Sequence, residues 1–296
     1  MIVFADDVTN KISLNAREIQ ATIEAARMYG CRVVIVPTDF ASVGGAENTL
    51  AYTPSFDEPE LAVWTGFVPM YERYTALYDA AQSKNIRLVN TPQQHATVMA
   101  FEKFYPLIKH ITPKSVIISD MNQLDTITEQ LAFPIFVKGS VKSKKLDGVD
   151  SVVARDKSEL QVLVEAQFSD EYKSRGIVIA REFVPLIKVA KDEQGFPISR
   201  EYRVFVYQGN ILDHSFYWDE YQDTGISDKD VEKVIRQMTA KVVEMVSVPF
   251  FTLDIAQAQS GEWIVIELGD GQFSGLSQIP VLRLWSKISQ WKMPEG

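Results

Sequence analysis

Two acidic residues stand inside apolar segments near the end of the chain: Asp254 in FFTLDIAQA and Glu267 in WIVIELGDG. A charge at such a position is expensive to bury unless it is paired. The segments flank Gln259-Ser260-Gly261 and read as a β-hairpin, so the two carboxylates can face each other. Adjacent carboxylates repel unless a proton or a cation lies between them. A hard divalent cation such as Mg²⁺, shared with phosphate oxygens, answers that need. The other answer is that each acid turns to solvent or pairs with an arginine.

A second group is basic. Lys138 ends the apolar run FPIFVK, and Lys142, Lys144 and Lys145 follow in one polar turn. Ammonium groups so close repel unless an anion sits among them, and a polyphosphate is the natural guest. A solvated lysine face is the alternative. Glu201 and Arg203 are two apart in REYRVFV and share one face of a strand. Arg203 can meet a phosphate or a transition-state oxygen, or form a cross-strand ion pair. Arg181 and Glu182 end a further strand just before Phe183-Val184-Pro185, and Pro185 removes a backbone donor there.

These residues need a scaffold. The first third alternates strand and helix: strands at 1–5, 32–36, 62–65 and 86–89, helices at 14–29 and 69–84, and a long loop at 38–60. That order predicts an open, largely parallel α/β sheet. Thr91 caps a following helix with Pro92 in its first turn. The middle reads as strands at 115–119, 135–137, 151–154 and 177–183 with helices at 122–131 and 156–168. The last part holds a hairpin at Gln208-Gly209-Asn210, a long helix at 227–246, the Asp254/Glu267 hairpin, the glycine-rich loop GDGQFSG and a terminal helix at 280–291.

Composition narrows the function. The chain has 296 residues, 39 acidic against 30 basic, and a net charge of −9. That balance argues against a general nucleic-acid binder. One cysteine, Cys31, excludes an internal disulfide and a cysteine zinc site. His95, His110 and His214 lack metal-ligand spacing. The start of the chain lacks a signal-peptide pattern and no stretch reads as a membrane span, so a cytoplasmic location is expected. GxGxxG after the first strand and GxxxxGK[ST] are both missing, which argues against a dinucleotide fold and a P-loop.

Taken in order, the elements resemble the ATP-grasp superfamily from about Ile86 to Leu276. NTPQQHATVMAFEKF resembles the segment whose helix supplies a first phosphate-binding lysine, here Lys103. FPIFVKGS resembles the strand with the second, Lys138, and Lys142 follows it. IVIAREFVP resembles the adenine-recognising hinge, which assigns Glu182, Phe183 and Val184. REYRVFV resembles the strand with a ribose-binding acid, Glu201, and a phosphate- or substrate-contacting arginine, Arg203, the catalytic candidate. FFTLDIA and WIVIELGD resemble the metal strands, with Asp254 and Glu267 as magnesium ligands. The family's Asn two residues after the metal glutamate is Gly269 here, and Asp270 is the expected substitute.

The resemblance implies an α/β and α+β ATP-grasp fold. It divides the chain into an N-terminal α/β domain (1–113), a central lid (114–184) and a C-terminal subdomain (185–296). It implies ATP and Mg²⁺ as cofactors. The expected activity is carboxylate–amine or carboxylate–thiol ligation through an acyl phosphate, on a small molecule or peptide bearing a carboxylate. Phosphoryl transfer without ligation and non-catalytic nucleotide binding stay open, as does the oligomeric state. No nucleic acid or membrane partner is expected. His214, Tyr217, Trp218 and Gln272 are substrate candidates, or plain core and surface residues.

Overall fold

The computed structural model describes residues 1–141, 152–192 and 197–292. Its first sheet holds β1 (Ile2–Asp6), β2 (Arg32–Val36), β3 (Glu60–Thr65) and β4 (Ile86–Leu88), all parallel, in the order β2-β1-β3-β4. Alternate residues of β1 go to opposite faces. Ile2 and Phe4 pack with Tyr74, Leu77 and Ala81 of the Tyr71–Gln82 helix. Val3 and Ala5 face the Leu14–Met28 helix, which buries Ile19, Ile23 and Ala26. Ser13 caps that helix by accepting from Ala16 N at 3.1 Å. The stretch expected as a bare loop, 38–60, contains a 3₁₀ turn at Ala41–Val43 and a short helix at Ala46–Thr49.

Thr91 and Gln94 form a reciprocal cap: Gln94 N donates to Thr91 Oγ1 at 3.2 Å and Thr91 N to Gln94 Oε1 at 2.8 Å. The helix that follows is not continuous. It stops at Ala100, whose backbone is extended (φ −99°, ψ 118°), and restarts as Phe101–Ile108. At this break Phe101 N donates to Ser140 O, one residue past the Ile135–Gly139 strand. A tertiary hydrogen bond of this kind has no signal in local propensity.

The second sheet holds β5 (Ser115–Ile118), β6 (Ile135–Gly139), β7 (Val153–Ala154) and β8 (Val178–Glu182), antiparallel in the order β5-β8-β6-β7. Ile127, Leu160 and Val164 from two helices close its apolar face. A ribbon of β9 (Lys188–Lys191) and β10 (Pro197–Ser199) leads to the third sheet. That sheet is β11 (Glu201–Tyr207), β12 (Asn210–Phe216), β13 (Phe250–Gln257) and β14 (Trp263–Asp270), antiparallel in the order β12-β11-β13-β14. Gln208 and Gly209, with φ of 47° and 77°, make the tight β11–β12 turn.

The third sheet has two different faces. Val204, Leu253 and Leu268 pack on Val231, Ile235, Met238 and Val242 of the Asp228–Met245 helix. The opposite face presents Arg203, Thr252, Asp254 and Glu267 to a cavity. Polar bonds tie this sheet to the first. Asn90 Nδ2 donates to Phe250 O at 2.7 Å, Phe250 N returns a bond to Asn90 Oδ1, and Trp64 N donates to Gln272 Oε1 at 2.9 Å. The Val281–Ile288 helix lies against Leu14–Met28 and adds Leu284, Trp285 and Ile288 to the same core.

Candidate functional site

The register of the third sheet sets one charged row. Arg203 pairs with Asp254, and Asp254 with Glu267, across β11, β13 and β14. The Arg203 guanidinium grips Asp254 in a two-pronged bond: Nε to Oδ1 at 2.8 Å and Nη2 to Oδ2 at 2.7 Å. Its Nη1 donates to Gly275 O at 2.9 Å, and the group lies 4.8 Å from the centroid of the Tyr217 ring. Burial works against the charge of Arg203, but Asp254 more than offsets it, so the guanidinium holds its proton more tightly than usual.

Lys138 arrives from another sheet. It stands near the end of β6, 3% exposed, and its Nζ donates to Glu267 Oε1. One ion pair therefore spans the cleft between the second and third sheets. The Phe101 ring lies below two cations, 5.5 Å from Lys138 Nζ and 5.4 Å from Arg181 Cζ.

Arg181 explains how Glu267 is aimed. The β13–β14 pairing slips one residue after Asp254, which leaves Ile266 as a bulge on β14. Arg181 Nη1 donates to Ile266 O at 2.7 Å, and Nη2 donates to Val265 O at 3.1 Å and to Thr112 Oγ1. The guanidinium thus takes up the carbonyls of the bulge. Burial pushes its pKa down to about 10, while Glu267 pulls it up. Sequence reasoning gave Arg181 no role. The signal for one was an arginine at the end of an otherwise apolar strand.

Two cavities lie against the third sheet. One, of about 410 Å³, has apolar walls from Phe136, Val153, Phe183, Val184, Ile264 and Ile266. Glu182 and Glu201 reach it, and so does Trp218. The other, of about 450 Å³, is more polar. Arg203, Asp254 and Glu267 form one wall, Tyr217, Gln272 and Phe273 line it, and Glu18 enters from the first helix. Burial raises the pKa of Glu18, against the Leu276 N–H that it accepts.

Three expected residues are placed elsewhere. Lys103 is exposed and lines neither cavity, because Phe101, Phe104 and Ile108 take the buried face of its helix. Asp270 is not turned toward Asp254 and Glu267. Strand β14 runs through Asp270 opposite Phe251, so the pleat sends its carboxylate to the other face. There it is fully buried, bonded to His95 Nδ1 at 2.8 Å and accepting from Gln272 N at 3.0 Å and Gln272 Nε2 at 3.2 Å. His214 lines a separate cavity with Asp213 and Arg283. Lys142, Lys144 and Lys145 lie outside the described residues.

The donor chemistry fits a divalent cation between Asp254 and Glu267, since a carboxylate oxygen that accepts one hydrogen bond keeps a further lone pair. Among the described residues no cluster of three or more His, Cys, Asp or Glu forms a metal site. Among them, too, no helix is long and apolar enough to cross a membrane.

No curated protein matches the chain by sequence. Among solved structures, an ATP-grasp protein with a RimK domain from Sphaerobacter thermophilus superposes with a TM-score of 0.62 at 12% identity, covering 97% of each chain. D-alanyl-alanine synthetase A from Vibrio cholerae gives 0.63 at 12% identity, covering 99% of this chain and 94% of its own. The VanG D-Ala:D-Ser ligase from Enterococcus faecalis gives 0.63 at 14%, covering 97% and 94%. These likenesses show a shared fold. A family model described as an ATP-grasp domain, family 3 of its clade, matches residues 109–288, and the chain belongs to that ATP-grasp family.

Proposed function

We propose that the protein is an ATP- and Mg²⁺-dependent ligase that joins a carboxylate to an amine through an acyl phosphate. One observation carries the reading: Arg203, Asp254 and Glu267 line the polar cavity in one row, and Lys138 of the second sheet pairs with Glu267. The D-Ala ligases of the same fold support it by analogy.

The apolar cavity takes the adenine, with Glu182, Phe183 and Val184 along its edge and Glu201 toward the ribose. Lys138 leaves Glu267 for the phosphates. Asp254 and Glu267 hold the cation, which when bound neutralises phosphate charge. Arg203, fixed by Asp254 and Gly275, stabilises the charge that develops on the transferred phosphoryl group. The acceptor carboxylate attacks the γ-phosphorus and ADP leaves. An amine in the polar cavity then displaces phosphate. Arg181 positions the β14 bulge that aims Glu267. Residues 1–113, 114–184 and 185–296 act as the acceptor-side domain, the lid and the floor.

A non-catalytic nucleotide binder is the second reading. It is favoured by the bidentate hold of Arg203 on Asp254, which occupies a metal carboxylate before any ligand arrives. ADP release, measured with Mg²⁺-ATP against a panel of amino acids and short peptides with products weighed by mass spectrometry, tests the proposal. An amide with ADP and phosphate supports it. A phosphorylated product, or binding without turnover, overturns it.

A further inference from the structure

We propose that the Thr252 hydroxyl, fixed by Ser274, gives the cation of this site an oxygen ligand beside Asp254 and Glu267. The proposal rests on the ATP-and-cation reading above.

Thr252 precedes Asp254 by two residues on β13 and so shares its face, and it pairs with Gly269 on β14. The residue is 2% exposed and lines the polar cavity with both carboxylates. Its Oγ1 lies 2.7 Å from Ser274 Oγ. The space that the two hydroxyls fill belongs geometrically to residue 269. A Cβ placed there would stand 2.7 Å from each hydroxyl oxygen. Glycine is required at 269 by space rather than by its backbone angles.

Counting protons gives the polarity of the pair. Ser274 Oγ donates its only proton to the carbonyl oxygen of Asp270 at 2.8 Å. The bond between the hydroxyls must therefore run from Thr252 to Ser274. No other described group donates to Thr252 Oγ1, so its lone pairs remain for a ligand and it has no proton to offer one. The direction is held from behind. The Asp270 carbonyl oxygen, anchored by the Phe273 N–H at 3.0 Å, stays in place as the acceptor of the Ser274 proton.

An oxygen that can only accept is a poor neighbour for a phosphate oxygen, which needs donors. It suits a hard cation, which takes neutral oxygens together with carboxylates. The reach is sufficient. Same-face neighbours on a strand stand about 6.7 Å apart, while ligands on opposite sides of Mg²⁺ are about 4.1 Å apart. The two side chains need converge by only about 2.6 Å.

The test is Mn²⁺ binding in the presence of β,γ-methylene-ATP, followed by calorimetry and by the electron paramagnetic resonance of bound Mn²⁺. Thr252→Val keeps the shape and removes the oxygen. It is expected to weaken Mn²⁺ about tenfold and to change the resonance line shape, while Thr252→Ser stays within about threefold of wild type. Should the valine variant fail to fold, Thr252→Ala is read on the same scale. If Thr252→Val binds Mn²⁺ like wild type while Glu267→Gln loses it, the hydroxyl is not a ligand and the cation reading stands. If wild type binds no Mn²⁺ with the nucleotide, the cation reading fails and this inference falls with it.

Discussion

Replacing Lys138 measures how much of the proposed nucleotide site depends on one strand-end ammonium. The side chain is 4% exposed and its partner Glu267 is 28% exposed, so the pair is only half shielded from water. On the proposed reading, binding ATP exchanges the Glu267 contact for a phosphate contact. A hydrogen bond to a charged group contributes about 1.5–3 kcal/mol, or about 10- to 150-fold in Kd. The loss falls toward the lower end because the Glu267 bond no longer has to be broken. Lys138→Met is the cleaner variant, since its stem keeps contact with the Phe101 ring. Titration calorimetry with β,γ-methylene-ATP, with and without Mg²⁺, should show affinity about tenfold weaker. Melting should change little, because Glu267 can turn to water. Wild-type affinity in Lys138→Met would mean that the lysine serves contacts within the protein alone, and would refute the phosphate role.

Asp270→Ala should cost about 1–3 kcal/mol for each buried donor left without its acceptor, His95 and Gln272 among them. Urea unfolding reads that loss, and Mn²⁺ affinity of the folded fraction should stay near wild type. His214 has its pKa lowered, first by burial, so its neutral form is favoured in the folded protein. Its contribution is present above the unfolded value of about 6.5 and lost as pH falls below it; wild type should lose more stability than His214→Gln between pH 7.5 and 5. Glu18 has its pKa raised, first by burial, so its contribution is present below the ordinary value of 4.5 and lost as pH rises. Glu18→Gln should therefore stabilise the protein more at pH 7 than at pH 4.5 in denaturant titrations.

Much of the scaffold is legible from period and punctuation. The Thr91-Pro92 start, the Gln208-Gly209 turn and the apolar runs around Asp254 and Glu267 are local signals, and the elements form where those signals place them. What the sequence hides is long-range. Lys138 and Glu267 are 129 residues apart, and Arg181 reaches the β14 bulge across 84 and 85 residues. The helix break at Ala100 coincides with a bond from Phe101 N to Ser140 O, 39 residues on. No window of local pattern carries these pairings.

Strand parity places Asp270 once the length of β14 is known. For Asp270 to join Glu267, its carboxylate would have to turn inward with the help of the flanking Gly269 and Gly271. Glycine permits such a turn but does not drive it, whereas a strand that continues fixes the direction of every side chain. Residues 267 and 269 share a face of β14, and 268 and 270 share the other. Once the strand runs through 270, the separation of three sends Asp270 away from the cavity. The strand does run that far, because Thr252 and Phe251 pair with Gly269 and Asp270. Gly271 cannot loosen it: a Cβ at 271 would meet the Phe250 ring at 2.5 Å, so this glycine is packed rather than free. The same parity that removes Asp270 from the cavity puts the side-chain space of Gly269 inside it. The position where a ligand was expected is therefore filled by the hydroxyls of Thr252 and Ser274, and Asp270 serves them from behind through its carbonyl.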